Sequence, residues 1–164
     1  MNQPSGHAES GPAVVSDLLR RNATRNPDRA ALVEVDSHVV RGVSGPDGAA
    51  SGRSLTWREF DEAADKVAGY LIDRGIGPGS AVGIMMRNRL EWIPIYFGIL
   101  RSGAVAVPLN FRDKSDDICG KAERVGIRAL VFGCYASCEV AVARWTLSPQ
   151  TDFVFVGEEK SRPG

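Results

Sequence analysis

The sequence predicts an open α/β fold, a mostly parallel sheet with flanking helices, and three observations carry that prediction. Four short apolar runs, Ala81–Met86, Ala104–Leu109, Ile127–Phe132 and Phe153–Val156, begin 23, 23 and 26 residues apart. Helix start and stop signals fill the gaps between them. The runs lack polar alternation, which is the pattern of strands covered on both faces, and crossover helices supply that cover in parallel sheets. Such crossovers are right-handed almost without exception. A chain of 164 residues has room for one core of this kind.

The elements follow in order. Residues 1–13 are rich in Gly, Pro and Ser and read as a disordered tail. Ser16 is placed to cap a short helix reaching Asn26, with Leu18, Leu19 and Ala23 as its apolar face. Arg20, Arg21 and Arg25 lie toward its negative end. Pro27 stops it by disfavouring helix in the residue before. Ala31–Val35 reads as a strand, with a second short one around Val39 and Val40. From Gly42 to Ser54 the chain is nearly all small and turn-forming, a long loop or hairpin tip. Thr56 and Glu59 then have the spacing of a capping box, and Leu55 and Phe60 that of a hydrophobic staple. Phe60, Ala63, Ala64, Val67, Ala68 and Leu71 continue at helical spacing, and Gly75 ends that helix. Between the apolar runs, a helix from Leu90 to Ser102 closes at Gly103. Ser115 and Asp116 open another that ends at Gly126, with Ile118, Ala122 and Val125 inward. Ser137 is placed to cap the last, with Val140, Val142, Ala143 and Leu147 inward.

Composition excludes several classes. Lys+Arg and Asp+Glu both number 20, so the formal net charge is zero, without the basic excess of a nucleic-acid binder. Three cysteines, an odd number, point to a reducing interior rather than a disulfide framework. The first residues lack the charged-then-apolar pattern of a signal peptide. Trp92–Phe111 is apolar but carries Arg101 and is broken by Pro94, Gly98, Gly103 and Pro108, so it reads as helix then strand, not a transmembrane segment. These features place the protein in the cytoplasm.

Little chemistry is marked by type and spacing. Gly75-Ile76-Gly77-Pro78-Gly79 follows a helix and precedes a strand, the reverse of a phosphate cradle. Cys134 and Cys138, four apart, do not make a metal site with only His7 and His38 elsewhere, and read as small buried residues, a reactive Cys138 being the alternative. Cys119 lies on the inward side of its helix, and His38 falls in or beside an edge strand. Trp57, Trp92, Tyr96 and Phe97 read as core or subdomain contacts. The loop with Asn110, Phe111 and Arg112 differs, because it lies past the carboxyl end of a parallel strand, where open α/β sheets bind ligands. There Arg112 and Phe111 are suited to a phosphate and an adenine-sized ring, the alternative being a loop cap with a solvated arginine.

Two segments together resemble a known family. Leu55-Thr56-Trp57-Arg58-Glu59-Phe60 resembles the first core motif of the adenylate-forming superfamily of acyl-CoA synthetases, luciferases and peptide-synthetase adenylation domains. Leu100-Arg101-Ser102-Gly103-Ala104-Val105-Ala106-Val107-Pro108-Leu109-Asn110 resembles its second. The glycine turn at 75–79, Arg87-Asn88-Arg89-Leu90-Glu91-Trp92 and the strand from Gly126 to Phe132 are similar too, so the likeness runs from Val14 to Gly157. Asn110-Phe111-Arg112 is worded more like acyl- and aryl-CoA ligases. The resemblance implies an enzyme that uses ATP and Mg to turn a carboxylic acid into an acyl-adenylate and then passes the acyl group to CoA. The phosphate loop ending in Pro-Lys, the acyl pocket, the ribose-gripping acid and the C-terminal lysine that it implies are not found in the 164 residues. The expectation is therefore a scaffold portion over residues 14–157, with 158–164 a tail or truncation point, inactive alone, with no catalytic or metal residue to carry over. Asn110, Phe111 and Arg112 remain as cofactor-binding candidates on the CoA side. The alternatives are a non-catalytic CoA- or protein-binding module, or one half of a split ligase completed by a second protein chain.

Overall fold

The computed structural model describes residues 15–35, 53–144 and 146–157. The expected N-terminal tail, His38, the strand at Val39 and Val40, most of the 42–54 loop and the 158–164 tail lie outside the described residues. Along the chain come α1 (Val15–Arg25), β1 (Ala30–Val33), β2 (Ser54–Thr56), α2 (Trp57–Ile72), β3 (Ala81–Met85) and α3 (Trp92–Arg101). β4 (Val105–Pro108), α4 (Ser115–Val125), β5 (Ile127–Gly133), α5 (Ser137–Ala143) and β6 (Asp152–Val156) follow, with a 3-10 turn at Cys134–Ala136 leading into α5.

The apolar runs form one parallel four-stranded sheet in the order β4-β3-β5-β6. β3 is central, and every residue in it is buried. Strand alternation sends Val82 and Ile84 to one face, where they meet Leu71 of α2 and Ile95 and Ile99 of α3. Ala81 and Met85 go to the other, against Ile118 and Ala122 of α4 and Val140 and Ala143 of α5. The result is a three-layer α/β unit with the sheet in the middle. β1 and β2 pair antiparallel as a separate hairpin. Beside it, Leu19 of α1 joins Phe60 and Ala64 on the outer side of α2.

Local chemistry explains the sharpest boundaries. The Thr56 hydroxyl accepts from the Glu59 N–H at 3.2 Å, and the Glu59 carboxylate accepts from the Thr56 N–H at 2.8 Å, so both halves of the capping box form. Gly75 (φ +66°) and Gly126 (φ +66°) occupy the left-handed region that ends helices, where a side chain is strained. Gly98 lets two helices touch: a Cβ there would stand 2.5 Å from Val67 Cβ and 2.8 Å from the Ala64 carbonyl oxygen.

Several expectations need correction. Ser16 lies inside α1, which starts at Val15. Ser137 is the first residue of α5 rather than its cap, and its hydroxyl donates to the Gly133 carbonyl at 3.4 Å. Val125 and Val142 point outward, because the helical phase set by Ile118, Ala122, Val140 and Ala143 turns them to solvent. β4 and β6 are the edges of the described sheet, so Val105 and Phe155 are more than half exposed instead of covered. Cys134 and Cys138 are exposed, since the 3-10 turn turns inward through Ala136.

Candidate functional site

The strand order defines where a crevice opens. β3 passes its chain to α3 on one face, and the neighbouring β5 passes its chain to α5 on the opposite face. Connections that leave in opposite senses part the loops at the carboxyl ends, which is where open α/β sheets hold ligands. A cleft of about 480 Å³ lies there, lined by Arg87, Asn88 and Arg89 after β3, Gly133, Cys134 and Tyr135 at the end of β5, and Glu34 and Arg53 from the hairpin.

An ion-pair network anchors one wall. Arg53 meets Glu34 at 2.6 Å and Glu91 at 2.6 Å, and Arg89 meets Glu91 at 3.0 Å. Hydrogen bonds to Glu91 and Glu34 push the Arg53 guanidinium above its ordinary value, so it stays charged throughout. Burial would lift the Glu91 carboxyl, but the Arg53 hydrogen bond, its own backbone N–H and the nearby Arg89 outweigh that and hold it below its ordinary value.

The loop after β4 stands beside the cleft rather than lining it, and Arg87 links the two, its guanidinium 5.3 Å from the Phe111 ring centroid. Leu109 donates its N–H to the Ile84 carbonyl at 2.8 Å, extending the sheet contact by one residue. Asn110 then makes a turn of its own side chain, Oδ1 accepting from the Arg112 N–H at 3.0 Å, while its carbonyl accepts from the Asp113 N–H at 2.9 Å. Phe111 is half-buried and Arg112 exposed. The Arg112 guanidinium lies 5.3 Å from the Phe111 ring centroid, at the outer range of a cation–π contact. The loop's far end is tied down from α5: Glu139 accepts from the Ser115 N–H at 3.0 Å and from the Lys114 ammonium at 2.8 Å. Those two contacts, Lys114 first, hold the Glu139 carboxyl below its ordinary value. This distant carboxylate serves the start of α4, which Ser115 opens.

Asn110, Phe111 and Arg112 thus stand together at the carboxyl edge, as their position after a strand predicts. In the sequence Arg87 counts only as part of the likeness at 87–92, and Tyr135 carries no signal at all. The Arg87 guanidinium lies 3.9 Å above the Tyr135 ring and 5.3 Å from the Phe111 centroid, joining the loops after β3, β4 and β5. No local pattern announces contacts between positions so far apart in the chain. Cys119 is half-buried, its thiol pushed up by burial, and its Sγ lies 3.8 Å from the Ala143 carbonyl oxygen, away from this edge. Trp57 and Phe97 pack on the α1–α2 cluster and Trp92 and Tyr96 on the sheet cluster, as core contacts. Among the described residues no group of three or more His, Cys, Asp or Glu side chains is placed to hold a metal ion. No strand there runs through a glycine-rich cradle into a helix either, so the residues present do not fit Mg or the phosphates of ATP. No helix among them is long and apolar enough to cross a membrane.

Comparison with known proteins adds the following. The family model described as AMP-binding enzyme matches residues 19–158. The medium/long-chain-fatty-acid–CoA/3-oxocholest-4-en-26-oate–CoA ligase of Mycobacterium marinum is 33% identical over 98 residues, 60% of this chain and 15% of that protein. Tyrocidine synthase 2 of Brevibacillus parabrevis is 26% identical over 151 residues, 92% of this chain and 4% of that protein. Among solved structures, a Mycobacterium tuberculosis fatty acyl CoA synthetase aligns with a TM-score of 0.70 at 24% identity, over 86% of this chain and 26% of its own. The anthranilate CoA ligase AuaEII in complex with anthranoyl-AMP aligns with a TM-score of 0.70 at 25% identity, over 90% of this chain and 25% of its own. The chain therefore spans 15% or less of the length of these curated relatives.

Proposed function

The chain belongs to the AMP-binding enzyme family, and from that premise we propose that it is the N-terminal scaffold portion of an AMP-forming acyl- or aryl-CoA ligase. Such a ligase joins a carboxylic acid to the AMP of ATP with release of pyrophosphate, then exchanges AMP for the thiol of coenzyme A. Residues 14–157 are taken as the α/β unit. Its contribution is to hold the sheet and to present the loop after β4 to coenzyme A. The observation that carries this reading is the placement of Asn110, Phe111 and Arg112 at the carboxyl edge, with the Arg112 guanidinium in no ion pair among the described residues. In this role Phe111 offers a stacking surface to the nucleotide end, Arg112 a fork for a phosphate, and Asn110 fixes the turn that aims both.

Phosphate-loop and lysine motifs are absent from the 164 residues, so these residues are assigned no part in adenylation. A cytoplasmic site, a role in fatty acid metabolism and a complementing protein chain that supplies the missing parts belong to the same proposal. Two measurements on the isolated chain test it. Acid-dependent exchange of pyrophosphate into ATP is expected to be absent, and robust exchange would overturn the scaffold role. Calorimetry is expected to show coenzyme A binding that Arg112→Ala weakens by about tenfold, the worth of one charge-assisted contact. A flat titration would remove the loop from the coenzyme A side.

A further inference from the structure

We infer that Arg87 is a second phosphate-contacting arm of this site and sets its preference for a ligand carrying a phosphomonoester; the inference rests on the coenzyme A reading above. Arg87 follows the central strand β3 by two residues and is exposed at the cleft. Its guanidinium is stacked 3.9 Å above Tyr135 and lies 5.3 Å from the centroid of Phe111. The Arg112 guanidinium lies 5.3 Å from that same centroid, so the two forks are at most twice that distance apart.

The charges around them are already spoken for. Arg53 is held by Glu34 and Glu91, and Arg89 by Glu91. Lys114 is paired with Glu139, and Lys121 with Asp113. Arg87 and Arg112 are in no ion pair among the described residues, and both converge on one half-buried ring. A single guanidinium neutralises half of a phosphomonoester, which carries a charge of about −1.5 to −2 at neutral pH. Two forks from different loops neutralise the whole and can each bond in bidentate fashion. Stacking on Tyr135 restricts the Arg87 side chain before any ligand arrives, which lowers the ordering cost of binding.

Coenzyme A contains one phosphomonoester, on its ribose; its pyrophosphate bridge carries less charge at each phosphorus. Arg87 therefore separates coenzyme A from dephospho-coenzyme A. The test is calorimetry of the 164-residue chain with both compounds, on the wild type, Arg87→Gln, Arg87→Lys and Arg112→Ala, with a thermal melt of each. The wild type is expected to prefer coenzyme A by about tenfold or more. Arg87→Gln is expected to lose most of that preference by weakening coenzyme A alone, and Arg87→Lys, which keeps the charge without the fork, to retain part of it. Equal weakening of both ligands, or an unchanged preference in Arg87→Gln, overturns the inference. Should Arg87→Gln fail to fold, Arg87→Lys decides: a reduced preference supports the role and an undiminished one removes it. An inert Arg87→Gln beside a weakened Arg112→Ala would sink Arg87 and leave the coenzyme A reading standing. A wild type that binds neither compound overturns both.

Discussion

Arg53 ties together three parts of the molecule with one side chain: its own hairpin strand neighbours it to Glu34, and Glu91 at the start of α3 takes the other side of its fork. The pairing has a pH signature. The Glu91 carboxyl lies below its ordinary value of 4.5 in the folded chain, because Arg53 and Arg89 outweigh its burial. A lowered folded value means that the stability it contributes is fully present above about pH 4.5 and fades as pH falls through the folded value. The urea midpoint of the wild type is therefore expected to drop on acidification below pH 4.5 more steeply than that of Glu91→Gln. Parallel curves would show that the network adds nothing to stability. At this scale the sequence makes the position of Asn110, Phe111 and Arg112 legible, though not their role, because a loop after a parallel strand is a place any reader can locate. It leaves Arg53–Glu91, Ser115–Glu139 and Arg87–Tyr135 illegible, since partners 24 to 48 residues apart meet only once the sheet order is known.

Helices and strands were legible wherever a local chemical device defines them. The Thr56–Glu59 box, the left-handed glycines at 75 and 126 and the apolar runs of β3 and β5 all stand where pattern and spacing put them. Serines 16 and 137 misled because a residue suited to capping is equally at home in the first turn, and a cap is a matter of φ, ψ and partner rather than type. The α2–α3 crossing tests packing at this scale. Gly98→Ala forces a methyl against Val67 and the Ala64 carbonyl, so it is expected to cost about 1–3 kcal/mol, a shift of a few degrees or more in Tm. An unchanged Tm would mean that the two helices separate without penalty. The sequence offers no sign of this contact beyond a glycine that a helix would otherwise avoid.

Taken whole, the described residues cover both faces of the sheet with helices but place no neighbour beside its two outer strands. Phe155 on β6 is 55% exposed, and Val105 on β4 is 57% exposed. Unpaired strand edges bearing apolar side chains invite association between copies. Phe155→Lys is therefore expected to raise the concentration at which the chain stays monodisperse in light scattering; no change would show that β6 is not the adhesive edge. Pattern alone read β4 and β6 as buried because an apolar run carries no information about how many neighbours its strand acquires.

The order β4-β3-β5-β6 also sets a schedule for the newly made chain. β3 gains its first neighbour from β4, but its other edge waits for β5, which begins at Ile127. At about 5–20 residues per second, synthesis takes on the order of seconds to cover the stretch from Met85 to Ile127. Through that interval Val82, Ile84 and Met85, which are wholly enclosed in the finished sheet, sit on a strand with one side open. The strand buried at every residue is thus produced early and shielded late, so the pace of translation between β3 and β5 governs how long it is exposed to chaperones and to its own kind.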